Sequence, residues 1–176
     1  HFDPWRTDAA RTRALRDALS KNSLSLLALD LASNDVNLAS PSADVRAFAV
    51  AAYAEAIARA VELGASAVCI GSGRRHALFP GADAKLMDDF RRAFADVQAH
   101  AARAGVGLAL ENHPQGLLAR ADAIDAFLAA EGYDDIGIIY DVANAFAAGE
   151  EPADGVARLA TRLSIVHLSD SPRGGW

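Results

Sequence analysis

The sequence predicts an α/β fold built on a parallel sheet, and two features carry that prediction. Five short apolar runs of strand type alternate with longer helical patterns: Leu24 to Leu29, Ala67 to Ile70, Val106 to Leu110, Ile136 to Tyr140 and Ser164 to Val166. The last three stop on, or next to, a side chain able to ligate a metal or move a proton: Glu111, Asp141 and His167, 30 and 26 residues apart. That spacing is about one strand-plus-helix unit. Parallel α/β folds place their chemistry at the carboxyl ends of strands, so the recurrence says more than any single acidic strand end.

The elements follow in order. His1 to Trp5 reads as the end of a strand or loop. Thr7 or Asp8 caps a helix with Leu15, Ala18 and Leu19 on its apolar side. The strand Leu24 to Leu29 ends at Asp30, and the polar loop Ala32 to Pro41 carries Asn34, Asp35 and Asn37, which suit contact with a ligand but are favoured as turn formers. Ser42 or Asp44 caps an alanine-rich helix that Gly64 stops after Leu63. Ala67 to Ile70 runs into Gly71-Ser72-Gly73-Arg74-Arg75-His76. Backbone amides and two arginines there suit a phosphate, but no Gly-Lys-Ser/Thr follows, and a flexible connecting loop is the favoured reading. Asp83 to Ala104 is a helix with Leu86, Phe90, Phe94 and Val97 on one stripe, closed by Gly105. Ala121 to Ala130 and Pro152 to Leu163 supply the last helices.

Composition bounds the class. A chain of 176 residues, 52% hydrophobic, can bury a good core, so one soluble domain is expected. The net charge is −6 and the basic residues are scattered, as at Arg11, Arg13 and Arg16, which argues against a nucleic-acid-binding surface. Cys69 stands alone in an apolar run, which excludes a disulfide framework and a cysteine-based zinc site. No apolar stretch reaches the roughly 18 residues of a membrane span, and no signal peptide is visible. A reducing, cytoplasmic setting is expected; the chain opens on His1 rather than Met.

The stretch from Val106 to Pro114 organises the chemistry. A buried apolar run ends in Glu111, Asn112 and His113, and Pro114 then forbids further pairing. Two carboxylates with an imidazole, as in Glu111, Asp141 and His167, are ligands suited to Mn²⁺, Mg²⁺, Co²⁺ or Zn²⁺. His113 suits substrate orientation or proton shuttling, and equally a structural hydrogen bond. Asp170 suits a bond to His167 or to a substrate hydroxyl, against the plain alternative of a solvated loop residue. Trp5, Phe79 and Trp176 are candidate walls of a pocket, or simple packing. Two architectures fit the alternation. Length favours an open doubly wound sheet of five strands, while convergence of three ligand-type strand ends favours a (β/α)8 barrel.

Leu110-Glu111-Asn112-His113-Pro114, Tyr140-Asp141-Val142-Ala143-Asn144-Ala145 and Val166-His167-Leu168-Ser169-Asp170 together resemble the xylose isomerase-like TIM-barrel superfamily. Sugar isomerases and epimerases, hydroxypyruvate isomerases, inosose and dehydroshikimate dehydratases and endonuclease IV belong to it. The resemblance spans Leu24 to Asp170 and implies a (β/α)8 TIM barrel of which the first and last strands are missing, so that residues 1–176 read as part of one larger barrel domain. It implies one divalent metal held by Glu111, Asp141 and His167, with a fourth ligand, a Glu of the last strand, absent from this chain. Many epimerases of the group carry a His where this chain has Asn144, which argues against a multi-metal endonuclease IV site. Beside such a metal Glu111, or the missing Glu, is the candidate base and His113 a second catalytic candidate, while Asn112, Asn144 and Asp170 are substrate-binding candidates. The implied activity is metal-dependent isomerisation or epimerisation of a small sugar or hydroxy-ketone by proton transfer next to a carbonyl. The alternatives are a dehydratase of a cyclic polyol or dehydroshikimate-type substrate, and a non-catalytic sugar-binding barrel. The partner expected is a small molecule, with no nucleic acid and no membrane; homo-oligomer assembly is compatible with all of this.

Overall fold

The computed structural model describes residues 8–31, 36–78 and 81–170. The elements run α1 (Ala9–Lys21), β1 (Ala28–Leu29), α2 (Ala43–Leu63), β2 (Ala67–Gly71), α3 (Asp83–Ala104), β3 (Gly107–Glu111), α4 (Ala121–Glu131), β4 (Gly137–Asp141), α5 (Val142–Ala147), α6 (Pro152–Leu159) and β5 (Leu163–His167). All strand pairings are parallel and the order is β1-β2-β3-β4-β5. Strands in strict sequence order are what a barrel requires; a doubly wound sheet reverses order at its switch point. The described chain is therefore an arc of a TIM barrel.

The two faces of the arc are packed differently. Val68, Ile70, Leu108, Leu110, Ile138 and Tyr140 point outward into the main core, against Ile57, Phe90, Phe94 and Phe127 of the helices. Each such side chain, fully buried, contributes about 1.5–3 kcal/mol of hydrophobic stabilisation. The inner face carries small side chains and a separate cluster of Cys69, Ala109 and Ile139, with Ala28 and Ile165 against it. Burial pushes the Cys69 thiol up to about 12, which keeps it an inert thiol.

Helix boundaries follow local chemistry. Asp8 caps α1, its side chain accepting from Arg11 N at 2.8 Å. Gly64 and Gly105 end α2 and α3 in the left-handed conformation, at φ 73° and 69°.

Three expectations are corrected. The first strand is shorter than Leu24–Leu29, because Leu24 N bonds back to Leu19 O at 2.9 Å as part of the turn closing α1. Leu24 and Leu27 are accordingly 62% and 58% exposed. On α1, Leu15 and Ala18 are exposed, and the buried residue is Thr12, whose hydroxyl donates to Asp8 O at 3.1 Å. The last helix stops at Leu159, where Arg162 N turns back onto Leu159 O at 2.8 Å, and the short α5 had no expectation attached to it.

Candidate metal centre

Side chains alternate across a strand, so two steps along the chain return to the same face. Glu111 lies two residues past Ala109, Asp141 two past Ile139 and His167 two past Ile165, which aims all three at the inner face. On β5 this parity depends on an irregularity. Ile138 pairs with Leu163 but Ile139 pairs with Ile165, so Ser164 is an extra residue in the strand. Leu163 packs outward against the main core; regular alternation from it would have turned His167 outward as well. The bulge resets the alternation and sets His167 in register beside Asp141. Gly137 makes room for it, since a Cβ there would overlap the Ser164 side chain.

The three ligand-type side chains converge. One donor atom from each of Glu111, Asp141 and His167 lies within 4.8 Å of the others. His167 Nδ1 is 2.9 Å from Glu111 Oε1 and 4.0 Å from Asp141 Oδ2. Asp141 divides its work, because its Oδ1 accepts from Asn144 N at 2.8 Å and so caps α5.

Asn112 and Asn144 take up different positions. Asn112 is fully buried, with its Oδ1 accepting from Asp141 N at 2.8 Å and its Nδ2 donating to Asp141 O at 3.0 Å. Asn144 is buried and its Nδ2 donates to Asn112 O at 3.0 Å. Both amides thus tie the end of β3 to the end of β4 and position Glu111 relative to Asp141. Asp170 is exposed in the segment after β5. Trp5, Asn34, Asp35, Phe79 and Trp176 lie outside the described residues.

The model of a family described as xylose isomerase-like TIM barrel matches residues 1–175. The chain belongs to this family. Among solved structures, a D-tagatose 3-epimerase-like protein superposes with a TM-score of 0.81 at 21% identity, over 93% of this chain and 63% of that one. An L-ribulose 3-epimerase gives 0.81 at 22% identity, over 97% and 58%. A Thermus thermophilus protein, from crystals soaked with ZnCl2, gives 0.74 at 26% identity, over 97% and 66%. The chain therefore spans less than two thirds of the length of these barrels. A search of curated proteins finds no match.

In this xylose isomerase-like barrel the donor set fits a divalent cation. Two carboxylates and an imidazole are hard-to-borderline ligands, and they sit where negative charge is in surplus. Burial holds Glu111 above the usual carboxylate range; the charge and hydrogen bond of His167 work against this, while Asp30 and Asp141 add to it. Burial pushes His113 below the usual imidazole range, and the charge of Arg74 adds to that against the opposing pull of Asp141. His113 Nδ1 accepts from Gln115 N at 3.2 Å, which assigns the neutral ring's hydrogen to Nε2.

Glu111 and His113 open onto one cleft of about 400 Å³, which Asp30, Tyr53, Ser72 and Arg74 also line. That volume is within the range of small-molecule sites. Asp30 carried a legible signal, since it follows the first strand as Glu111 ends the third. Tyr53 carried none: it comes from the middle of α2 and reaches the cleft only because that helix packs over β2, where its hydroxyl accepts from Gly71 N at 3.4 Å. Arg74 lies in the loop read as flexible, and that loop is fastened at several points.

Proposed function

We propose that this chain is the metal-binding part of an isomerase or epimerase that moves a proton next to the carbonyl of a small sugar or hydroxy-ketone. The observation that carries the reading is the convergence of Glu111, Asp141 and His167 on the inner face of the arc. These three would hold a divalent ion, which would polarise a substrate carbonyl and its neighbouring hydroxyl and so lower the cost of removing the proton between them. Two structural neighbours, a D-tagatose 3-epimerase-like protein and an L-ribulose 3-epimerase, are named for activities of this class.

The chain's own residues have distinct tasks. Glu111 takes the proton: burial raises its basicity, and of its two carboxylate oxygens one would hold the ion while the other faces the substrate. His113, neutral and carrying its hydrogen on Nε2, donates to a substrate oxygen in the same cleft. Asn112 and Asn144 keep the two strand ends in register, and Tyr53 closes the cleft on the side of α2.

Incubating the intact protein with Mn²⁺ and a panel of ketoses in D₂O tests the proposal. Deuterium should enter at the carbon next to the carbonyl, and both chelation and Glu111→Gln should abolish its uptake. Uptake that survives both treatments would overturn the assignment of Glu111.

A further inference from the structure

The loop between β2 and α3 is held in place with more polar bonding than a simple connection needs. Asn37, nearly buried, clamps the main chain of Arg74 from both sides: its Nδ2 donates to Arg74 O at 2.9 Å and its Oδ1 accepts from Arg74 N at 3.0 Å. The same Oδ1 accepts from Ala39 N at 3.0 Å. Gly73, at φ 67°, permits the clamp, since a Cβ there would come within 2.6 Å of Asn37 Oδ1 and 2.7 Å of Ala39. On the other side Arg74 forms an antiparallel bridge with Gly116. Ser72, also buried, accepts from Leu118 N at 3.0 Å, and a Cβ on Gly116 would approach its Oγ to 2.5 Å. Loops following three successive strands thus converge on one arginine. Burying Asn37 and Ser72 is costly unless they are bonded, and every one of these bonds goes to main chain, so together they fix where Arg74 stands.

Arg74 stands between two clefts. The first is the cleft of Glu111 and His113, with Asp30 on its wall. The second, about 930 Å³, is lined by Arg74, Arg75, His76, Ser40 and Gln115, and no Asp or Glu stands among the described residues that line it. Arg75 Nε pairs with Asp83 at 2.9 Å, but both side chains are largely exposed and such a pair is weak. A neutral sugar gains little from a basic wall, whereas the planar guanidinium fork matches a carboxylate or phosphate.

We propose that Arg74, with Arg75 beside it, forms an oxyanion subsite that takes the carboxylate or phosphate end of the substrate whose carbonyl end lies at Glu111. The proposal rests on the isomerase reading above and narrows its substrate class to anionic sugars or hydroxy-ketones.

Three substrates separate the cases for the intact, Mn²⁺-loaded protein: D-fructose, D-fructose 6-phosphate and 5-keto-D-gluconate. Deuterium uptake should favour an anionic substrate, the phosphate or the acid identifying which oxyanion the subsite takes. Arg74→Gln should lower the ratio of anionic to neutral kcat/KM by about 10- to 100-fold, the worth of a charge-assisted hydrogen bond. Arg74→Lys should lower it less. Calorimetric titration of the metal-free protein with inorganic phosphate and with D-gluconate gives a readout independent of turnover, and Arg74→Gln should weaken the binding seen there. Equal losses on neutral and anionic substrates, or no binding of either anion by the wild type at millimolar concentration, would overturn the subsite. Neither result touches the isomerase reading, which stands or falls on Glu111→Gln.

Discussion

Asn112 holds Asp141 by its main chain, in the manner of one more rung on the sheet: one side-chain amide accepts from Asp141 N at 2.8 Å and donates to Asp141 O at 3.0 Å. The strand ladder between β3 and β4 ends at Glu111, and this amide continues it by one residue. The result is that two carboxylates from different strands are kept at a fixed separation while they face the same inner space. Asn112→Ala leaves both main-chain groups of Asp141 without these partners. We expect a loss of about 1–3 kcal/mol in denaturant unfolding. Mn²⁺ affinity by calorimetry should fall about 10- to 100-fold, as it does when groups supporting a metal ligand are removed.

The three candidate metal ligands set the next expectation. The intact protein should bind Mn²⁺ or Zn²⁺, and Asp141→Asn or His167→Gln should each weaken that binding by at least about tenfold while the fold is retained by circular dichroism. Wild-type affinity for neither ion would remove the metal centre.

Gly137 controls the direction of His167, which it does not touch. Its missing side chain accommodates Ser164, whose insertion returns His167 to the inner face. Gly137→Ala should displace the bulge and reduce metal affinity by about tenfold or more, alongside about 1–3 kcal/mol of overpacking cost. Gly137→Ala combined with Ser164→Gly, which empties the overlapped space, should recover part of the affinity. A titration showing wild-type affinity in Gly137→Ala would count against this coupling.

The same kind of close approach fixes α6 on β4. The Tyr140 hydroxyl donates to Glu150 at 2.9 Å, and Glu150 in turn accepts from Ala121 N at the start of α4. A Cβ on Gly155 would overlap the hydroxyl and ring of Tyr140. Gly155→Ala should therefore destabilise by about 1–3 kcal/mol, although the same change in an exposed helix is favourable. Its cost should be smaller in a Tyr140→Phe background, where part of the overlap is gone; strict additivity of the two in thermal unfolding would contradict the contact.

A pH dependence follows from Asp89, which is only 1% exposed and receives Lys85 Nζ at 2.7 Å and Arg92. Arg46 of α2 lies 3.4 Å away and joins the two helices. Burial by itself raises the Asp89 pKa, but the hydrogen bonds from Lys85 and Arg92 and the charge of Arg46 outweigh it, so the folded value is depressed. The unfolded chain then takes up the proton more readily, and the stability from Asp89 is present above about pH 4 and lost as pH falls through the folded value. Asp89→Asn should cost about 1–2 kcal/mol at pH 7, modest because Lys85 and Arg92 are mostly exposed. The difference from wild type should shrink below about pH 4 in urea unfolding.

The sequence by itself determined the alternation, the helix stops at Gly64 and Gly105, and the three strand ends that carry Glu111, Asp141 and His167. These are local matters: periodicity, a left-handed cap and an apolar run are properties of neighbouring residues. It also marked Asn112 and Asn144 as substrate-binding candidates. Their bonds to a main chain some 30 residues away could only come from the packing of β3 against β4. The parity of His167 was decided by a bulge, which is a relation between two strands and leaves no mark in the composition of either. Tyr53 and Arg74 reached the cleft for the same reason, one by the docking of α2 on β2, the other by a clamp from Asn37 and a bridge to Gly116. Local propensity names the elements and their ends; which side chains meet is set by strand register and helix packing, and these exist only once distant parts of the chain have come together.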